Sequence, residues 1–137
     1  MNHTLSYYSI LFYREFSAYT ARRLEELGVS YGSLFFILYI GNHPGCTPAQ
    51  MTSALGADWG HSQRMVARLK AGGFVTKERS GRDRRSHCLN LTEAGERAFQ
   101  VCRQVFEDWD RERLLSFSKE ERTMLFSLLE KLGRRQG

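Results

Sequence analysis

Two short helices with clear start and stop signals lie in the middle of this sequence. Residues 47–50 read Thr-Pro-Ala-Gln, which combines a capping box with proline at the first helical position. The helix that they open ends near the glycine of residues 55–56. Asp58 is placed to cap a second helix, which ends at the glycine pair of residues 72–73. Two short helices joined by a glycine-containing turn predict a helix-turn-helix.

A β-hairpin is predicted directly after the second helix. Residues 74–79 and 85–91 alternate in polarity and are rich in strand formers, and residues 80–84 between them contain glycine and aspartate. Thr92 is then expected to cap a long helix, and Ser118 starts the last helix with a second capping box. The expected fold class is therefore mainly α with a small β-hairpin, a winged helix-turn-helix.

The two ends of the chain are predicted to be amphipathic helices. The first covers about residues 5–27, and a second, capped by Ser30, is apolar nearly all round and should be buried. The terminal helices carry more apolar surface than a small domain covers alone, at Phe12, Phe16, Tyr19, Leu125, Leu128 and Leu132. A two-fold homodimer is the simplest arrangement that buries these side chains, and packing within one chain is the alternative.

We therefore interpret all 137 residues as one domain with three parts. Residues of about 1–28 and 115–137 form dimerisation helices. Residues of about 30–92 form the winged helix-turn-helix, and residues 93–115 form a connecting helix. These helices with the hairpin account for the whole chain.

Positive charge is concentrated in the helix-turn-helix and hairpin. Residues 58–91 contain eight basic and three acidic side chains, a balance of +5 that equals the net charge of the whole chain. Focused charge of this kind favours a polyanionic partner, although a charge run can also be a merely solvated face.

The helix that Asp58 is expected to cap carries, in its first half, groups that can recognise double-stranded DNA. The candidate contacts there are Trp59, His61, Ser62, Gln63 and Arg64, and Arg68 follows one turn after Arg64 as a further candidate. Glutamine suits adenine and arginine suits guanine in the major groove, whereas the last arginine is expected along the DNA backbone. In the hairpin tip, Arg82, Arg84 and Arg85 suit a narrow minor groove, and Asp83 is expected to orient one of these arginines.

A family resemblance follows from the residues of this region and their spacing. They are Asp58, Arg64, Val66, Arg68, Leu69, Gly73, Phe74, Val75, Asp83, Arg85, Leu89, Leu91, Thr92 and Gly95. The pattern resembles the MarR family of bacterial regulators. The resemblance implies a homodimer on a pseudo-palindromic operator, usually a repressor that a small ligand releases. The sequence departs from the family at residues 59–61 (Trp-Gly-His), which leaves the operator sequence open.

The resemblance also implies a site for an aromatic acid or phenol near the dimer base. Candidate pocket residues are Tyr8, Phe12, Phe16, Phe35 and Trp109, although aromatics at helical spacing are also typical of a core. We expect no cofactor and no metal site, because the histidines are scattered and the three cysteines lack metal-ligand spacing.

Other function classes are less consistent with the sequence. An enzyme is not indicated, because no nucleophile–base pair, phosphate loop or paired carboxylates can be found. A winged helix used only for protein contacts, and a redox sensor based on Cys46 before a helix N-terminus, remain alternatives. No apolar run is long enough to span a membrane and no secretory signal is seen, so we expect a cytoplasmic protein without membrane contact.

Overall fold

The computed structural model describes residues 3–80 and 83–134, without the side chains of residues 83–85. The helices are α1 (Leu5–Glu25), α2 (Leu34–Asn42), α3 (Pro48–Leu55), α4 (Trp59–Ala71), α5 (Glu93–Arg113) and α6 (Lys119–Gly133). The strands β1 (Val75–Ser80) and β2 (Asp83–Leu91) form a two-stranded antiparallel sheet. The predicted fold class, helical with one hairpin, is confirmed. In the described part of the chain, no helix is both long and apolar enough to cross a membrane.

The local start and stop signals act as predicted in the helix-turn-helix. The Thr47 hydroxyl accepts from the Gln50 amide and the Gln50 side chain accepts from the Thr47 amide, each at 3.0 Å. The Asp58 carboxylate caps α4 by accepting from the His61 amide at 3.0 Å. Between the two helices, Gly56 takes φ +61°, a left-handed conformation that favours glycine. Local residues thus determine the starts of both helices and the turn between them.

The start of the second helix differs from the prediction. A short 3₁₀ turn, Tyr31–Ser33, precedes α2, so Ser30 lies too far upstream to cap the α-helix. The Ser30 hydroxyl instead forms a hydrogen bond with the Ser33 hydroxyl at 3.2 Å. Helix α2 is also not buried all round, since Phe35 is 52% exposed.

The chain divides into two compact units, Met1–Val105 and Phe106–Gly137. The core of the first unit is built around one face of α2. Its largest fully buried side chains come from five helices and both strands: Leu24, Leu34, Ile37, Ile40, Met51, Val66, Val75, Leu89 and Val105. Burial of this apolar face, rather than helix propensity alone, fixes the helix-turn-helix on α2.

The hairpin is tied to its neighbours at both sides of its base. Thr92 follows β2; its hydroxyl donates to the Gly73 carbonyl at 2.6 Å and its amide donates to the Phe74 carbonyl at 3.0 Å. On the other side, Leu89 exchanges two backbone hydrogen bonds of 2.8 Å with the segment before α3, through the Gly45 amide and the Cys46 carbonyl. The base of the hairpin is therefore fixed to the α2–α3 connection and to the start of α5.

The second unit contains the end of α5 and all of α6. Ser118 caps α6 through a capping box with Glu121, as predicted. No residue of α6, all of which the structure describes, is buried. Leu125 is partly buried, and the other large apolar residues of this helix are 47–61% exposed: Met124, Phe126, Leu128, Leu129 and Leu132.

Candidate nucleic-acid interface

Helix α4 has one buried face and one exposed face. Met65, Val66 and Leu69 are 2–3% exposed and anchor the helix on the core. The Phe74 amide donates to the Leu69 carbonyl at 2.9 Å, so the end of α4 is tied to the start of the hairpin. The Asp58 cap fixes the start of the helix. Both ends of α4 are therefore held, and its opposite face is directed away from the core.

The exposed face carries five of the six DNA contacts predicted on this helix. Trp59 is 50% exposed, His61, Arg64 and Arg68 are exposed, and Gln63 is partly buried. The structure thus brings these five side chains onto the outer half of one helix. Their donors and acceptors are of the types that read base edges and phosphates.

The Arg64 guanidinium and the Asp58 carboxylate both lie close to Gly60 in the first turn of α4. A methyl group on Gly60 would sit 3.3 Å from Nη1 of Arg64 and 3.2 Å from Oδ2 of Asp58. Both distances are tighter than ordinary contacts, so Nη1 of Arg64 and Oδ2 of Asp58 would have to shift by a few tenths of an ångström if this position carried a side chain. The glycine that weakens the helix by up to about 1 kcal/mol relative to alanine therefore leaves room for the arginine.

Ser62 does not belong to this face, and its prediction as a DNA contact needs correction. The residue is 1% exposed, and its hydroxyl has no hydrogen-bond partner within the described part of the chain. It lies three, four and seven residues before Met65, Val66 and Leu69, which is the spacing of one helix face. That spacing was a signal in the sequence that Ser62 points to the core.

Phe36 is a residue that sequence reasoning missed. Its ring belongs to the core at 5% exposure, yet it meets the ring of His61 edge-on, with centroids 5.8 Å apart and planes at 69°. An edge-to-face pair of aromatic rings is a favourable geometry. Because the two residues lie on different helices, no local sequence pattern signals this contact.

The hairpin supplies further positive charge. Lys77 is partly buried and Arg79 is exposed on β1, and the register pairs Arg79 with His87 before it shifts next to Ser80. Of the predicted tip contacts, Arg82 lies outside the described residues. Asp83, Arg84 and Arg85 belong to β2, but their side chains lie outside the description.

The predicted pocket residues lie on both units of the chain. On α1 the rings of Tyr8 and Phe12 are 6.0 Å apart, and Phe16 is partly buried one turn further on. Phe35 lies on α2, whereas Trp109 belongs to the second unit, with the Arg113 guanidinium 5.0 Å from its ring centroid. The shared pocket stays a prediction.

The environment of Cys46 is the opposite of the one that a redox-active thiolate needs. The residue is 6% exposed, and burial raises the pKa of its thiol. Burial likewise raises the pKa of Cys102 to about 12. Within the described residues, no cluster of three or more histidine, cysteine or acidic side chains could hold a metal ion.

Comparison with known proteins decides the family. A sequence model of the MarR family matches residues 27–86. The HTH-type transcriptional regulator BilQ of Clostridium symbiosum is 37% identical over 134 residues, covering 98% of this chain and 93% of the relative. The chain belongs to the MarR family. It is a transcriptional regulator with the winged-helix fold of that family, as the resemblance indicated.

Solved structures agree in fold. Wild-type MarR from E. coli, in its apo form, superposes with a TM-score of 0.75 at 23% identity, covering 98% of this chain and 99% of the other. A putative MarR-family regulator from Listeria monocytogenes, in complex with a 26mer DNA, gives a TM-score of 0.76 at 20% identity, with coverages of 96% and 87%.

Proposed function

We propose that this MarR-family chain is a sequence-specific regulator that binds double-stranded DNA as a homodimer on a pseudo-palindromic operator. The observation that carries the proposal is the face of α4 that holds Trp59, His61, Gln63, Arg64 and Arg68 away from the core. The Listeria protein with the same fold was solved in complex with a 26mer DNA, which supports DNA as the partner.

The proposed roles follow from position along α4. A helix of 13 residues is about 20 Å long and can enter the major groove end-on. Arg64 and Gln63, near its start, would read guanine and adenine, and Trp59 would pack on the sugar-phosphate backbone or a thymine methyl. Arg68, one turn after Arg64, would contact the DNA backbone.

We extend the interface to the tip of the hairpin on charge grounds. Arg82, Arg84 and Arg85 would enter the adjacent minor groove, and Asp83 would hold one of the guanidinium groups in place. Lys77 and Arg79 continue the positive charge along β1 toward that tip. Alternating contacts from helix and wing would cover both grooves of one half-site.

The homodimer is proposed because the terminal helices expose too much apolar surface for a stable single chain. On α1, Leu5, Ile10 and Tyr13 are each 60–63% exposed, and Phe12 is 48% exposed. The apolar side chains of α6 are exposed to a similar extent. Large apolar side chains that are exposed in this number on each helix favour a protein interface. We therefore keep residues of about 1–28 and 115–137 as dimerisation helices.

We further infer that the regulator is a repressor that a small aromatic ligand releases in the cytoplasm, without a cofactor. The neighbouring rings of Tyr8 and Phe12 support an aromatic ligand, because they offer a stacking surface on a helix of the proposed dimer region. A ligand that binds there more tightly in one dimer arrangement would shift the population between arrangements.

The DNA-binding proposal is tested by a salt titration of binding to duplex DNA. With about four to six phosphate contacts per protomer, log K is expected to fall with log salt at a slope of about −7 to −11. Arg64→Ala should reduce base preference, whereas Arg111→Ala is the matched control, because Arg111 pairs with Asp108 in the second unit.

Two results would overturn the proposal. A slope near zero, or no binding at low salt, would favour the alternative of a winged helix used only for protein contacts. Equal effects of the two arginine substitutions would mean that α4 is not the helix that reads the bases.

A further inference from the structure

His61 is exposed on α4, but its position is fixed from two sides. Its backbone amide donates to the Asp58 carboxylate at 3.0 Å, which fixes the backbone in the first turn. Its ring rests edge-on against Phe36, at 5.8 Å between centroids. The ring is thus accessible to a partner and still restrained before any partner arrives.

Phe36 is well placed to impose that restraint. It is 5% exposed and lies on α2 next to Ile37, which is fully buried. Because Phe36 is held in the core, its ring has little freedom to move. The more exposed His61 ring therefore takes the orientation that packs against Phe36. The orientation of a surface side chain is in this way determined by the core of the first unit.

We propose that Phe36 is a positioning residue for base recognition: it holds the His61 imidazole so that a ring nitrogen meets a purine edge in the major groove. The proposal rests on the proposed DNA-binding function of α4. Every purine presents its N7 acceptor in the major groove, and an imidazole N–H is a suitable donor. If the His61 ring is already ordered before DNA binds, its side-chain entropy is not lost on binding. That saving corresponds to about 2- to 10-fold in affinity for the base pair that it contacts.

The alternative is that Phe36 only fills the core. In that case its loss would destabilise the fold and weaken binding to all duplexes alike. A positioning role instead affects discrimination at the one base pair that His61 reads, in each half-site, and leaves the salt dependence unchanged. The two roles are therefore separated by base preference and not by affinity alone.

The experiment uses the full chain and an operator selected from random duplexes, with each base pair of one half-site then substituted in turn. The variants are Phe36→Leu, His61→Ala and their combination. Phe99→Leu is the matched control, because Phe99 is 6% exposed and packs against Gly41, on the opposite end of α2 from Phe36. If Phe36→Leu does not fold, Phe36→Met replaces it.

We expect His61→Ala to lose discrimination at one base pair, and Phe36→Leu to lose about 2- to 10-fold at that same base pair. The double variant should lose no more than His61→Ala alone, since coupled residues are not additive. Phe99→Leu should leave every base preference unchanged.

Three outcomes would overturn the positioning role: unchanged base preference in Phe36→Leu, equal changes in Phe36→Leu and Phe99→Leu, or no effect of His61→Ala. If the wild-type chain selects no operator at all, the proposed DNA-binding function itself fails, which is a distinct result.

Discussion

At Gly95 the first turn of α5 lies close against the base of the hairpin. A methyl group added there would overlap the carbonyl oxygen of Phe74 and lie 3.1 Å from Cβ of Leu91. The Phe74 carbonyl cannot simply move aside, because it accepts the hydrogen bond of the Thr92 amide at 3.0 Å. Gly95→Ala must therefore displace backbone.

The expected cost follows from three terms. Overpacking against backbone is at the upper end of its usual range, about 3 kcal/mol. Loss of the Thr92 hydrogen bond adds about 1 kcal/mol, and the better helix propensity of alanine returns about 1 kcal/mol. We expect Gly95→Ala to lower the free energy of unfolding by about 3 kcal/mol, which for a chain of this size is a Tm decrease of roughly 10 °C.

The measurement is urea denaturation together with calorimetry at one fixed protomer concentration, because association shifts apparent stability. Gly32→Ala is the control: its nearest neighbour atom, Cε of Met65, would be 3.8 Å away, an ordinary contact. We expect that control to stay within about 0.5 kcal/mol of the wild type. If Gly95→Ala were no less stable than Gly32→Ala, the close approach of α5 to the hairpin would be refuted.

Two further predictions concern the recognition helix and α6. Ser62→Ala removes a buried hydroxyl with no partner among the described residues, so the free energy of unfolding should rise by about 1 kcal/mol. A variant that is less stable than the wild type, or that binds DNA more weakly, would contradict this account. Leu128→Glu places a charge on the exposed apolar face of α6 and should yield monomers in sedimentation velocity with weaker operator binding, whereas Ser127→Glu should stay dimeric. Equal masses for the two variants would argue against the α6 dimer surface.

The local signals of this sequence predict its elements well, because they act over three or four residues. The capping boxes at Thr47 and Ser118 and the cap at Asp58 all form as expected. At Ser30 the sequence predicts the start of an α-helix, but the structure has a 3₁₀ turn there. A serine before the first turn is compatible with either kind of helix, so the local signal does not distinguish them.

The candidate site was only partly predictable, for a different physical reason. Residue chemistry predicts arginine, glutamine and histidine as DNA contacts, but the rotational position of α4 decides which side chains face outward. That position depends on the burial of Met65, Val66 and Leu69 in the core, and it buries Ser62 on the same face and places the His61 ring against Phe36. Contacts between distant segments leave no periodic signal in either one.

The two backbone hydrogen bonds between Leu89 and the segment before α3 have a mechanical consequence for gene control. Together with the Thr92 bonds on the other side, they fix the hairpin to the α2–α3 connection and to the residues that directly follow α4. If α4 and the hairpin contact the two grooves as proposed, the spacing between their footprints on a half-site is set by the fold of one protomer, and we expect it to be the same with or without a ligand. An inducer would then have to change the distance between the DNA-binding regions of the two protomers in a dimer. Binding to operators with altered half-site spacing should therefore respond differently to the inducer.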